Sequence, residues 1–208
     1  MHITIFGASG GVGRLLVELL LQRGHTVTVF VHRHSPFEAT ERLRIARGDI
    51  HDARHVAAAI AGSDAIGSTL SSWGTPRKDV LSAAMTNICP AMQSAGISRI
   101  VSLTGADARG HGDRLTLLHR LFHRVLRIIA GTVLDDGEKH MEILRMSGLH
   151  ATVVRSPIMF SRADSAYVLN DIRPLPWAMV NRAAVARAMA DCLEGVGNAD
   201  DRPFIHRP

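Results

Sequence analysis

HITIFGASGGVGRLLVELLLQRGHTVTVFVHR, residues 2–33, decides the fold of this chain. A short apolar run over 2–6 has the β-branched and aromatic content of a strand, and a second such run covers 26–31. Between them Val12, Leu16, Leu19 and Leu20 fall on one helical face, and Gly24 stands where such a helix would stop. Strand and helix are joined by GASGGVG. Gly7 permits a tight turn there, Gly10 and Gly11 remove side chains where phosphates would sit, and Gly13 lets the helix approach the sheet. A glycine-rich turn of this kind offers backbone amides to an anionic diphosphate, and the helix dipole adds its positive end. With a strand before it, an amphipathic helix after it and a second strand beyond, the motif has the context that dinucleotide binding requires.

The same alternation continues outward. Strands are predicted over 43–49, 64–70, 99–105 and 151–157, with a closing strand over 204–206. Helices are predicted over 53–61, 79–95 (ending at Gly96), 136–147 and 181–194. Repeated β-α units with near-continuous apolar strands imply an α/β fold, a doubly wound parallel sheet with helices on both faces. At 208 residues and 46% hydrophobic content, one domain over 1–208 is the expectation, with residues 105–135 and 156–180 contributing small substrate-side elements. No basic-then-apolar leader and no membrane-length apolar run is visible. Cys89 and Cys192 lack metal-type spacing, so a reduced, cytoplasmic protein is expected. The net charge of +5 comes from scattered arginines rather than one block, which argues against a nucleic-acid partner.

The spacing Gly7-x-x-Gly10-x-x-Gly13 resembles that of the short-chain dehydrogenase/reductase superfamily, and SGLHATVVRSPIMF (147–160) is similar to the SGL-x-x-T-x-x-R-P signature of its atypical, NmrA-like or NAD(P)H-binding members. The layout is also similar to the flavin reductase (biliverdin-IXβ reductase) group. The resemblance implies a Rossmann fold and a bound nicotinamide dinucleotide. Ser9 and Val12 complete the phosphate turn, and Asp49 and Ile50 fall where such proteins flank adenine. Thr69, Leu70 and Ser71 fall beside the cofactor ribose, and Ser102, Leu103, Ser156, Pro157 and Ile158 fall near the nicotinamide. An NAD-preferring site usually ends its second strand with a carboxylate that holds the ribose hydroxyls. Here Val31 is followed by His32 and Arg33, and a guanidinium suits a 2′-phosphate, so NADP(H) is favoured over NAD(H). Relatives usually carry their arginine at the His32 position, which leaves open which of the two acts.

Mainstream members pass a proton through Tyr-x-x-x-Lys. Here Tyr167 is followed four residues later by Asp171, and Lys139 is preceded four residues earlier by Asp135, so no such pair exists. The flavin-reductase group's serine after strand five aligns with Thr104-Gly105, and its histidine after strand six with Ile158. Hydride transfer to a flavin, quinone or similar conjugated acceptor needs chiefly stacking in a dry cleft, since the cofactor carries the reactivity. Flavin is then a substrate rather than a prosthetic group. Trp73, Pro157, Met159, Phe160 and Trp177 are candidate walls for a small-molecule substrate, and Thr104 is the candidate proton relay. The alternative is a non-catalytic NmrA-like sensor that binds NADP(H) and signals through a protein partner. Monomer and homodimer both remain open.

Twelve histidines raise the question of metal. No ligand-type cluster is present, and His119 and His123 have no carboxylate partner nearby in sequence, so no metal site is expected. In LTLLHRLFHRVLRIIAG (115–131), Leu118, Leu121, Phe122, Val125 and Ile129 share a helical face, with Arg120, His123, Arg124 and Arg127 mostly elsewhere. Related atypical reductases carry a comparable insert at the active-site rim. The expectation is a lid or subunit contact whose apolar face packs inward, in preference to membrane binding.

Overall fold

The computed structural model describes residues 1–162, 164–196 and 202–208. β1 (His2–Phe6) enters α1 (Gly11–Gln22) through the glycine turn, and β2 (Thr26–Val31) returns parallel beside β1 with Ile5 opposite Val29. There follow β3 (Leu43–Arg47), α2 (Ala53–Ile60), β4 (Ala65–Ser68), α3 (Val80–Ala95) and β5 (Arg99–Gly105). The second half holds α4 (Leu117–Met146), β6 (His150–Ser156), β7 (Ile158–Phe160), β8 (Val168–Asn170), β9 (Met179–Asn181), α5 (Arg182–Leu193) and β10 (Phe204–His206). Eight strands form one sheet in the order β3-β2-β1-β4-β5-β6-β10-β8, parallel except where β8 runs against β10.

Alternation along β1 divides the core. Ile3 and Ile5 face α1 and α5, where Leu16, Val17, Leu20, Val185 and Met189 are buried. Phe6 faces α2, α3 and α4 with Ile60, Met85, Ile88 and Met141. Each such side chain contributes roughly 1.5–3 kcal/mol by leaving water. Strand order reverses between β1 and β4, and the crevice at that switch point lies off the carboxyl ends of the strands.

Three expectations need correction. The predicted helix over 136–147 is the second half of the 30-residue α4, which Thr116 caps at its start and which bends at Ala130. The strand predicted over 64–70 leaves the sheet after Ser68, so Thr69 and Leu70 line the crevice instead. β7, β8 and β9 were not foreseen, because three residues are too few to show a period. β7 and β9 pair in parallel as a ribbon separate from the main sheet.

The amphipathic stretch is rotated from expectation, and of the stripe expected to pack inward only Phe122 faces the crevice. His123 and Ala130 are buried, with Phe122 and Leu126 facing the crevice, whereas Leu118, Leu121, Val125 and Ile129 point outward. The crevice supplies an apolar surface on the Phe122 side of the helix, and that side wins.

Candidate active site

Backbone builds the end of the crevice at the glycine turn. Gly7 has φ +78°, and a Cβ there would lie 2.6 Å from the Thr69 carbonyl carbon. A Cβ on Gly13 would lie 2.3 Å from the Gly7 oxygen. Thr69 Oγ1 is 3.0 Å from that same Gly7 oxygen, which fastens the end of β4 to the turn. Gly10 begins α1 without a side-chain cap, and the first turn of the helix carries no acid. The first amides of α1 therefore lie open to an anion. Arg182, the first residue of α5, lies against Gly11, its Cδ 3.1 Å from where a Cβ would stand. Its Nη1 donates to Ser161 at 2.8 Å. This guanidinium was not foreseen, because only the fold brings α5 to the glycine turn.

The crevice is more open at the carboxyl ends of β2 and β3. His32, Arg33 and Asp49 are exposed, and Asp49 accepts from the His51 backbone and ring, both at 2.9 Å. Those bonds, helped by the nearby His51 and His32 charges, hold the Asp49 carboxyl below its usual range. The Ile50 carbonyl accepts from Asn87 at 2.8 Å. Ser9 is exposed and offers its carbonyl to Arg14 at 3.0 Å.

Between β1, β4, β5 and β6 on one side and α4 on the other lies a cleft of about 610 Å³. It gathers Gly10, Gly11, Val12, Thr69, Leu70 and Ser71 from the cofactor side. Leu103, Thr104, Ser156, Pro157, Ile158 and Met159 come from the strand ends, and Trp73 stands at the rim, 64% exposed. Phe122, Leu126, Val133 and Leu134 of α4 form the facing wall. Thr104 is buried, and its Oγ1 lies 2.9 Å from where a Cβ on Gly137 would stand. Asp107 was not foreseen either. It lines the cleft, and burial pushes its carboxyl up, an effect that Arg173, His123 and His119 oppose.

Three expected residues, Ser102, Phe160 and Trp177, stand apart from the cleft lining. The Ser102 hydroxyl lies 2.8 Å from His140 Nε2 beneath the cleft rather than facing it. Phe160 lies outside the cleft lining, with Arg162 and Arg207 each 5.7 Å from its ring centre. Trp177 is 64% exposed, and its neighbour Pro176 lines the cleft instead. Tyr167, the single tyrosine, donates to Asp191 at 2.5 Å on another face of the molecule.

The floor and walls are held by buried polar groups. Asp136 accepts from the Leu81 and Ser82 amides, both at 2.9 Å, and from the Ser72 hydroxyl, joining α4 to the start of α3. Burial pushes His140 down to about 4, so its ring is neutral. Arg155 is 2% exposed, lies 4.0 Å over the Phe204 ring and donates to Asp113, which also receives Arg173. His123 Nδ1 is 3.2 Å from the Asp107 carbonyl, and its Nε2 is 3.8 Å from Glu138. A carboxylate thus stands near this histidine, contrary to the reading from sequence spacing. Among the described residues no three His, Cys, Asp or Glu side chains gather as a metal site. Among those residues no helix is long and apolar enough to cross a membrane.

These elements define a Rossmann-type fold with a cleft beyond its glycine turn. The chain matches the NAD(P)H-binding family over residues 7–195 and belongs to it. It is 35% identical over 112 residues to a 3-beta-hydroxysteroid dehydrogenase of Mycolicibacterium neoaurum, covering 48% of this chain and 31% of that one. The chain spans less than a third of the length of the curated relatives it matches, 13% at the lowest. Among solved structures, it resembles ChuY, an anaerobilin reductase from Escherichia coli, with a TM-score of 0.82 and 21% identity, covering 100% of this chain and 98% of that one. A short-chain dehydrogenase/reductase of Veillonella parvula in complex with NADP gives a TM-score of 0.78 at 19% identity, covering 100% and 94%.

Proposed function

We propose that this protein is an NADPH-dependent reductase acting on a flavin, quinone or similar conjugated small molecule. One observation carries the reading: the cleft running from the glycine turn is walled by Leu103, Phe122, Leu126, Leu134 and Met159, with Asp107 as the carboxyl in its lining. Such a space suits a planar apolar acceptor and excludes water around it. When bound, the dinucleotide supplies the hydride. The open amides of α1 and the Arg182 guanidinium hold the diphosphate, and His32 and Arg33 receive the 2′-phosphate. Thr104 orients the acceptor by a hydrogen bond. Asp107, which lies in the cleft lining and whose carboxyl burial pushes up, delivers the proton that accompanies the hydride and is reprotonated from solvent. The reaction balances as acceptor plus hydride plus proton. Tyr167 takes no part in this scheme.

The test is titration calorimetry with NADPH and NADH, followed by NADPH oxidation with a panel of flavins and quinones. Tighter binding of NADPH and turnover with at least one conjugated acceptor are expected. Firm cofactor binding without turnover across the panel overturns the reductase reading in favour of a sensor, and absence of binding overturns both.

A further inference from the structure

The amino-terminal half of α4 is apolar over a wide arc, of which only one part faces the cleft. One side, with Phe122, Leu126 and Ala130, lines the cleft. On the other stand Leu117, Leu118, Leu121, Val125, Ile128 and Ile129, which are 43% to 86% exposed. At 100° per residue these six occupy a sector of about 120°, and Arg120, Arg124 and Arg127 occupy roughly the next 60°. No Asp or Glu occurs from Arg114 to Leu134. Arg120 and Arg124 have no ion-pair partner among the described residues, and Arg127 meets Asp135. A surface helix of a water-soluble domain ordinarily carries one apolar stripe and turns its polar face to solvent. Here the apolar arc runs on past the cleft-facing residues into an exposed sector that nothing among the described residues covers, and cations border its far edge.

The apolar surface continues past the helix. His119 Nε2 lies 3.1 Å from the Pro174 carbonyl and ties the following loop to the start of α4. That loop exposes Ile172, Leu175 and Trp177.

We propose that the outward face of α4 docks in the plane of an anionic lipid bilayer. A lipid surface satisfies both halves of the pattern. The acyl boundary receives Leu117, Leu121, Val125 and Ile128, while phosphate headgroups receive the flanking arginines. A tryptophan at the border suits the headgroup level. A second copy of the chain fits less well, because a two-fold contact sets the same patch against itself and brings arginines to arginines with no carboxylate between them. The cleft wall is the adjoining side of the same helical turns, about 120° around the axis. Docking therefore sets the cleft within about one helix diameter, roughly 10 Å, of the lipid.

The experiment is flotation of the full chain with vesicles of phosphatidylcholine alone and with vesicles containing about one-third phosphatidylglycerol. Binding to the anionic vesicles is expected to exceed binding to neutral ones by at least about tenfold and to weaken as salt is raised. The double substitution Leu121→Glu and Ile128→Glu, at solvent-facing positions, should abolish flotation while circular dichroism and melting temperature hold. Arg120→Ala with Arg124→Ala should remove the preference for anionic lipid. The proposal is overturned if the folded chain ignores anionic vesicles or binds neutral ones equally well. It is equally overturned if sedimentation shows a dimer that the double glutamate substitution makes monomeric, which assigns the face to a second copy.

Discussion

At the phosphate end of the cleft, contact is made by absence: Gly7 and Gly13 let the turn, β4 and α1 touch backbone to backbone, and Arg182 is the large side chain added. At the substrate end, contact is made by bulky charged side chains, with Arg155 and Arg173 converging on Asp113 and Arg155 stacked on Phe204. Backbone-on-backbone packing tolerates almost no change in residue type. Side-chain bolts can be rebuilt from other residues, so one framework can carry different substrate ends. The polar floor beneath, Ser102 with His140 and Ser72 with Asp136, belongs to both ends and fixes their spacing.

The largest effect should come from the bolt. Asp113→Ala leaves the buried Arg155 guanidinium without its carboxylate, with only the Ala108 carbonyl as acceptor, and should cost about 4 kcal/mol in urea unfolding. A loss below about 1 kcal/mol would mean the substrate end relaxes freely and the contrast between the ends is one of geometry only. The floor should show itself through pH. His140 titrates near 6.5 when unfolded and is pushed down to about 4 when folded, so the unfolded chain takes up the proton first. Stability from this group is complete above pH 6.5 and falls by about 3 kcal/mol as pH drops to about 4. A denaturation series across that window checks this, and His140→Gln should flatten the slope.

Smaller effects separate the roles within the site. Asp107→Asn should lower kcat about a hundredfold with little change in cofactor affinity, and a pH–rate profile that loses its carboxyl limb would identify the proton donor. An unchanged profile would move that role to Thr104 or solvent. Arg182→Ala should weaken NADPH and NADH alike, about thirtyfold, because both carry the diphosphate. Arg33→Ala should weaken NADPH about tenfold and leave NADH unaffected. Calorimetry on the pair distinguishes a diphosphate contact from a 2′-phosphate contact, and equal loss of both cofactors in Arg33→Ala would point to His32 or to neither.

Residues 2–33 by themselves carried β1, the glycine turn, α1 and β2, because local period and glycine placement are properties of neighbours along the chain. The same holds for β5, β6 and the start and stop of α3 at Val80 and Gly96. Asp107 and Arg182 were invisible at that level. Neither sits in a motif, and each gains its meaning from a partner far away in sequence: Arg182 from Gly11, Asp107 from His123 and Arg173. The orientation of α4 was likewise settled only in three dimensions. Leu118, Leu121, Phe122, Val125 and Ile129 form a coherent stripe on paper, but a helix apolar over so wide an arc has more than one way to lie. The cleft selected the one that puts Phe122, Leu126 and Ala130 inward. Periodicity names the faces of an element; the surface it meets decides which of them is covered.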